Sequence, residues 1–414
     1  MRTEWDVIVV GGGLAGLAAA ATAGRAGARV LVLEAHQPGG RARTVERDGF
    51  LFNQGAHALY RGGAGNRVLR SLGVVPDGAA PPLDRYRAQV GDRQPLLPTG
   101  PVSLLRTGAV GPKSRIQLAV LLGRLHRIRP GDLATTTVAR WLESLSLRPD
   151  TAALVRALIR LGTYTADVEH FSADAAVSQL QLAAKGGVLY LHGGWTQLVE
   201  GLSRALEIRT GTDVSGVEPA GGAVRVRTGQ GELTASGVVV ATGAPAAVRR
   251  LLPADPPWGD LGSPLTAACL DLGVRRRPEP GYVLSLDDPV YVTVQSPPAR
   301  QAPDGGAVVA AIRYGARGAD EDRPQLEALT ACAGVAPADV VTRRFLAHMT
   351  VSGALPLAGS GGMAGRPGVD DTGVPGVTMA GDWVGPVGLL ADASLASGRA
   401  AGLRAAGVRP PVDR

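Results

Sequence analysis

Lysine is nearly missing from this chain of 414 residues: of its 43 basic side chains, only Lys113 and Lys185 are not arginine. Aromatic residues make up only 4%, and the arginines are scattered. The formal charge of +7 therefore comes without the interleaved basic and stacking residues that nucleic-acid binding uses, and no nucleic-acid partner is expected. Two cysteines, Cys269 and Cys332, lie far apart with no CxxC or Cys/His array. That excludes a disulfide framework and a structural zinc site, leaves no metal to expect, and fits a reducing, cytoplasmic setting. Long apolar runs are scarce too. Residues 7–24 carry no charge, but five of them are Gly, Asp6 directly precedes them and Arg2 is the only basic residue upstream. Neither a membrane span nor a signal peptide is written there.

What remains, at 45% hydrophobic and 19% charged, is the composition of a globular protein. The length exceeds what one hydrophobic core of ~250 to 300 residues fills, so two domains are expected. Residues 6–10 read as a buried strand, 17–26 as an Ala-rich helix and 28–34 as a second strand, which together make a βαβ unit. Further strand-like patches at 237–243 and 376–382 suggest that the same domain returns twice. Residues from about 100 to 185 carry helical patterns, and those from about 262 to 350 alternate short β-like runs with Pro and Gly breaks. The expected fold is α/β: a Rossmann-like dinucleotide domain built from three segments (1–98, 193–261 and 372–414), with an α+β substrate domain inserted twice (99–192, mainly helical, and 262–371, mainly sheet).

The connection inside the βαβ unit carries Gly11-x-Gly13-x-x-Gly16, with Glu34 eighteen residues beyond Gly16 and Ala35 after it. Gly11 makes the tight turn, Gly13 lets the backbone approach a pyrophosphate alongside Leu14 and Ala15, and Gly16 lets helix and strand pack. Glu34 accepts from ribose hydroxyls. The motif alone does not separate NAD from FAD. The residues after Glu34 are more specific: Pro38-Gly39-Gly40-Arg41, and then a segment through Asn53, Gly55, Ala56 and His57. Paired glycines and an arginine can lay amides and a guanidinium against a diphosphate.

These motifs resemble the superfamily of phytoene desaturases, protoporphyrinogen oxidases and flavin amine oxidases, and most of all its bacterial phytoene desaturase-like branch. The resemblance is good at both termini and poor in the middle. It implies FAD, held non-covalently, and an enzyme. It further implies that Val214 contacts the adenine, that Thr242 and Gly243 form a crossover beside the nucleotide, and that Gly381 and Asp382 hold the ribityl or phosphate region. Leu389, Leu390 and Ala391 would open a helix aimed at the flavin pyrimidine. Many flavin amine oxidases carry a lysine near the flavin in the strand after the crossover. Residues 263–273 have none, and no cysteine for a covalent flavin bond lies near the C-terminal motif. Both absences favour dehydrogenation of a mostly apolar substrate. The alternatives are an amine oxidase lacking that lysine, and a non-catalytic binder like the Rab GDP-dissociation inhibitors.

Catalytic candidates are weaker. His57 reads as a pocket wall or a proton carrier, Lys185 as a solvated turn residue or a base, and Trp383 as core or as a flavin cover. Tyr164, Tyr190, His192 and Trp195 either line the substrate pocket or pack. Residues 114–129 predict an amphipathic helix with Leu118, Leu121, Leu122, Leu125 and Ile128 on one face and Arg124 and Arg127 off it, stopped by Pro130. Its first reading is a substrate-domain helix with a solvated basic face. Its second is a weak peripheral membrane contact that admits a lipophilic substrate. Nothing in the sequence sets the oligomeric state.

Overall fold

The computed structural model describes residues 4–408; residues 1–3, Arg2 among them, and 409–414 lie outside the described residues. Strand Trp5–Val10 lies between Val30–Leu33 and Gly231–Val240 and is parallel to both. Glu207–Arg209 continues the sheet beyond Val30–Leu33, and Val377–Met379 pairs with the carboxyl half of Gly231–Val240. The amino half of that long strand belongs instead to an antiparallel meander with Ala223–Thr228 and Val214–Ala220. Three distant stretches of chain thus build one Rossmann-like sheet. The period of two explains why its central strand is apolar throughout. Val7 and Val9 pack with helix Leu14–Arg25, while Ile8 and Val10 pack on the meander side with Trp258 and Trp383.

The second sheet has six strands in the order Val340–Ser352, Leu265–Val274, Ala307–Tyr314, Val290–Ser296, Val283–Ser285, Arg87–Gln89. All neighbours are antiparallel except the last pair. Arg87–Gln89 precedes residue 98, so the boundary drawn there from sequence falls one strand too late: a short edge strand between turns gives no composition shift to mark it. Helix Ala319–Cys332 covers one face, where the buried Arg313 pairs with Asp322 at 3.1 Å. Ile312 and Tyr314, one step either side of Arg313, take the opposite face.

The inserted helices are Pro101–Arg106, Pro112–Leu125, Val138–Ser144, Pro149–Thr163 and Ala173–Gly186. The second of these corrects the expected helix over 114–129. It ends at Leu125, before Pro130; Leu118 and Leu125 are buried and Leu121 half-buried, but Leu122 is exposed. No helix among the described residues is long and apolar enough to cross a membrane.

Candidate active site

Each glycine of the first loop has a distinct geometric task. Gly11 sits at φ +105°, where a Cβ would lie 2.5 Å from the Ala241 carbonyl oxygen, and a Cβ on Gly16 would overlap the Gly11 carbonyl oxygen. A Cβ on Gly13 would meet nothing within 4 Å. Gly13 is also the N-cap of helix Leu14–Arg25 and offers no side chain to its amides, so the positive end of the helix, with Leu14 and Ala15, opens onto clear space. Gly39 and Gly40 close that space from the far side, Gly39 by a bridge to Gly13.

Glu34 braces the loop. Its carboxylate accepts from the Gly12 amide at 2.6 Å and the His36 amide at 2.8 Å, while its backbone oxygen accepts from Thr212 beside the buried Val214. Ala35 is exposed next to it. Thr242, at the crossover, has a buried hydroxyl with no protein partner. Gly243 accepts from the Trp383 indole at 2.5 Å.

Arg41 reaches across from the second loop to Asp382 with bonds of 3.0 and 2.9 Å and donates to the Val351 carbonyl. Burial alone would raise the Asp382 carboxyl, but the Arg41 charge and its hydrogen bonds, with that from the Gly353 amide, outweigh it and hold it below the usual range. Gly381 donates its amide to Ser397. Arg366, unremarked in the sequence, donates to the carbonyls of Asp382 and Gly388, and burial lowers its pKa to about 10.

The final helix, Leu390–Ala405, lies against the first, with Gly398 on the Ala15 carbonyl and Gly402 on the Ala19 carbonyl. The two run in the same direction, and the amino end of the last projects seven residues beyond that of the first, about 10 Å at the rise of an α-helix. Its start, with Leu389 as N-cap and Leu390 and Ala391 following, is uncapped by any side chain. Leu390 sits at φ 53°, a conformation that leucine seldom adopts and that clusters at functional sites. Two positive helix ends, offset along one line, suit an elongated ligand with anionic character at two points.

On the other side of this line lie Gly55, Ala56 and His57. The Ala56 carbonyl accepts from Tyr164 at 2.5 Å, and the His57 carbonyl from Gln295 at 3.2 Å. Tyr291, Thr293 and Gln295 alternate along one strand and so share a face. Tyr291 meets the Tyr164 hydroxyl at 3.2 Å, and Thr293 meets that of Tyr190 at 3.0 Å, which in turn meets that of Tyr86 at 3.0 Å. Tyr282 stacks on Tyr86 and Tyr314 on Tyr291, while Tyr60 donates to the Gly162 carbonyl beneath Tyr164. All seven tyrosines of the chain thus gather in one region, which reaches Ala56 through Tyr164. Burial raises the pKa of every one, so the wall is phenolic and uncharged.

The family model described as flavin containing amine oxidoreductase matches residues 14–267, more than half of the chain. The chain belongs to that family. Nicotine dehydrogenase of Pseudomonas putida is 29% identical over 263 residues, 58% of this chain and 53% of that protein. Hydroxyneurosporene desaturase of Rhodobacter capsulatus is 56% identical over 50 residues, 12% of this chain and 10% of that protein. This chain therefore spans from about a tenth to about half the length of these relatives. The solved cyclohexylamine oxidase of Brevibacterium oxydans has the same fold: TM-score 0.72 at 18% identity, covering 97% of this chain and 99% of that one.

FAD is the cofactor of this flavin oxidoreductase, and the residues present fit it. The open cradle at Gly13, the orphaned Thr242 hydroxyl and the two offset helix ends are what an ADP half and a flavin half require. Glu34, Arg41 and Asp382 are the charged groups that would hold it. The catalytic candidates fare differently. Lys185 is exposed near the end of helix Ala173–Gly186. Trp383 is fully buried against Trp258 and props the crossover through Gly243. His192 does not join the tyrosine wall: it accepts from the Arg300 amide through Nδ1 and bonds Asp77 through its own amide. Trp195 is buried with its ring edge-on to His57, centroids 4.8 Å apart. His57 Nδ1 lies 2.9 Å from the Gly55 carbonyl, and burial, with the nearby Arg41 and Arg344 charges, lowers its pKa.

Sequence reasoning missed a buried chain behind His57. Asn53 joins Gln295, Thr44, the Trp195 amide and Arg344; Arg344 pairs with Asp271, which accepts from the Cys269 thiol at 3.3 Å. Asp271 and Arg344 are register partners on adjacent strands, a juxtaposition without local sequence signal. The alternation Tyr291, Thr293, Gln295 was legible and would have found the other half.

Proposed function

We propose that this enzyme dehydrogenates a mostly apolar small molecule at carbon, with FAD held non-covalently. The observation that carries the reading is the make-up of the wall against Gly55. A Cβ there would lie 2.8 Å from the Met349 methyl and 3.8 Å from the Cys269 sulfur. A thioether and a thiol line this position, and residues 263–273, the stretch in which the resemblance leads one to expect the amine oxidases' lysine, contain none. The chain's only lysines, Lys113 and Lys185, are both exposed elsewhere. Cys332 is exposed on its own helix and Cys269 is occupied by Asp271, so neither supports a covalent flavin link.

FAD, when bound, accepts the hydride equivalent from carbon. The protein's part is to bind, orient and exclude water. Neutral phenols form the substrate side. His57, kept neutral by burial and two cations, donates through Nδ1 and forms a wall with Trp195. A second reading, oxidation of an amine, is favoured by the match to nicotine dehydrogenase and by an aromatic wall able to face a cation.

Anaerobic mixing of the purified yellow protein with a polyene or alkene panel and an amine panel tests the proposal. Flavin bleaching with a carbon–carbon desaturated product supports it; bleaching by amines with an imine product replaces it with the second reading. Acid precipitation that leaves the flavin in the pellet overturns the non-covalent part.

A further inference from the structure

Five large aliphatic side chains stand in solvent on two neighbouring helices: Val102 at 64% and Leu105 at 74% exposure on Pro101–Arg106, and Ile116, Val120 and Leu122 at 68, 48 and 40% on Pro112–Leu125. The helices are joined where Arg115 donates to the Leu105 carbonyl at 2.9 Å. Exposed Leu83 adjoins them, its carbonyl accepting from Thr99 just before the first helix. The longer helix presents two opposite faces. Ser114, Leu118, Leu121 and Leu125 turn inward to the substrate-domain core, while Lys113, Ile116, Val120 and Arg124 follow the same spacing outward.

Along the two helices themselves the charge has one sign; the nearest carboxylates are Asp84 beside Leu83, Asp132 just after them, and Asp150, which accepts from the Gly111 amide and the Ser114 hydroxyl. Residues 101–131 hold six Lys and Arg and no Asp or Glu, against a formal charge of +7 for the whole chain. Among the described residues, none of those six is in an ion pair. Arg106, Lys113, Arg124, Arg127 and Arg129 are all exposed.

We propose that this two-helix face docks on an anionic lipid bilayer, its aliphatic centre entering the headgroup boundary and its arginines pairing with lipid phosphates and carboxylates. Aliphatic side chains ringed by cations complement that surface in both apolarity and charge. A second copy of the chain does not fit as well, because a two-fold interface would set the cationic rim against itself. Nucleic acid would be met by aromatics rather than by Val, Leu and Ile. The proposal is independent of the substrate: the face lies outside the cofactor line, on the far side of a helix whose inner face packs in the core that holds the tyrosines.

The test is co-sedimentation of the FAD-loaded protein with phosphatidylcholine vesicles, with and without phosphatidylserine, at physiological salt. Binding is expected only with phosphatidylserine. The Arg124→Glu/Arg127→Glu double variant should weaken it by about fivefold or more for each charge lost, and Ile116→Asp should do so without touching flavin content. Protein left wholly in the supernatant, equal binding to neutral vesicles, or binding undiminished in both variants overturns the proposal. So does a dimer in light scattering that Ile116→Asp dissolves while wild type ignores vesicles, which would assign the face to a second copy.

Discussion

Arg41 and Asp382 are 341 residues apart in the chain and meet through two hydrogen bonds of 3.0 and 2.9 Å. Through them the first and last segments of the FAD domain are tied together, and the Val351 carbonyl adds the inserted sheet to the same joint. Asp382→Ala should strip this joint and leave the guanidinium near the diphosphate position unpositioned. Arg41 keeps 39% of its side chain exposed, so solvent offsets part of the loss, and about 1 to 3 kcal/mol of apoprotein stability is expected to disappear. Because the folded carboxyl titrates below its unfolded value, that contribution is complete above about pH 4 and is lost as pH falls through the folded pKa. Denaturant melts of apoprotein and the flavin-to-protein absorbance ratio check it; unchanged values for both would refute the joint.

Two glycines of one motif should fail in different ways. Gly13→Val projects into open space, so the apoprotein should fold and melt as wild type but take up no FAD. Gly16→Val drives its side chain into the Gly11 carbonyl and should destabilise the fold itself, by several kcal/mol or to the point of insolubility. Circular dichroism with flavin content separates the cases. A Gly13→Val protein with normal flavin would show that the cradle is elsewhere.

The same motif marks how far the chain alone can be read. The βαβ unit and the tight turn at its glycines were legible because strand, turn and helix succeed one another locally, whereas the bonds of Glu34 to the Gly12 amide and of Arg41 to Asp382 come from packing. The boundary at 98 was not, because Arg87–Gln89 is a strand only by virtue of a partner nearly two hundred residues later. The Cys269, Asp271 and Arg344 cluster and the convergence of seven tyrosines are likewise products of register and packing, which composition does not encode. His192 was a pocket candidate only through the segment after it, 193–198, while Lys185, read first as a solvated turn residue, is exposed at its helix end.

Asp392 supplies a pH signature. It sits in the first turn of the last helix, accepts from the Gly65 amide at 2.7 Å, and burial raises its pKa to about 6 against the Gly65 bond and the Arg67 charge. The unfolded carboxyl titrates near 3.8, so between those values the folded state holds more protons and stability falls as pH rises. The cost is absent below about pH 4 and complete above about pH 6, on the order of 3 kcal/mol for two pKa units. Asp392→Asn should match wild type at pH 4 and exceed it at pH 7.5. Equal stability of the two at pH 7.5 would show that this carboxylate carries no burial penalty.

The last expectation concerns how little acid–base work the side chains do. Among the described residues, no cluster of three or more His, Cys, Asp and Glu could hold a metal, and the flavin side offers two groups that titrate near or below neutrality, His57 and, in the first turn of the last helix, Asp392. The lowered pKa of His57 makes it a weak base, and its Nδ1 is taken up by Gly55. Positioning would then supply most of the rate, through the effective molarity of a substrate fixed against the flavin. Under anaerobic mixing with the true substrate, His57→Ala should slow flavin reduction by well under the ~100-fold typical of a lost general base, and Lys185→Met should leave it unchanged. The rate should also stay flat from about pH 7.5 to 9, since burial moves His57 down and the tyrosines up, and Asp392 titrates near 6. A fall of ~100-fold or more in either variant, with FAD and substrate still bound, would make that residue a proton-transfer catalyst. A pH–rate break that disappears in His57→Ala would identify the imidazole directly, because a pocket wall that only packs on Trp195 alters KM without moving a pKa.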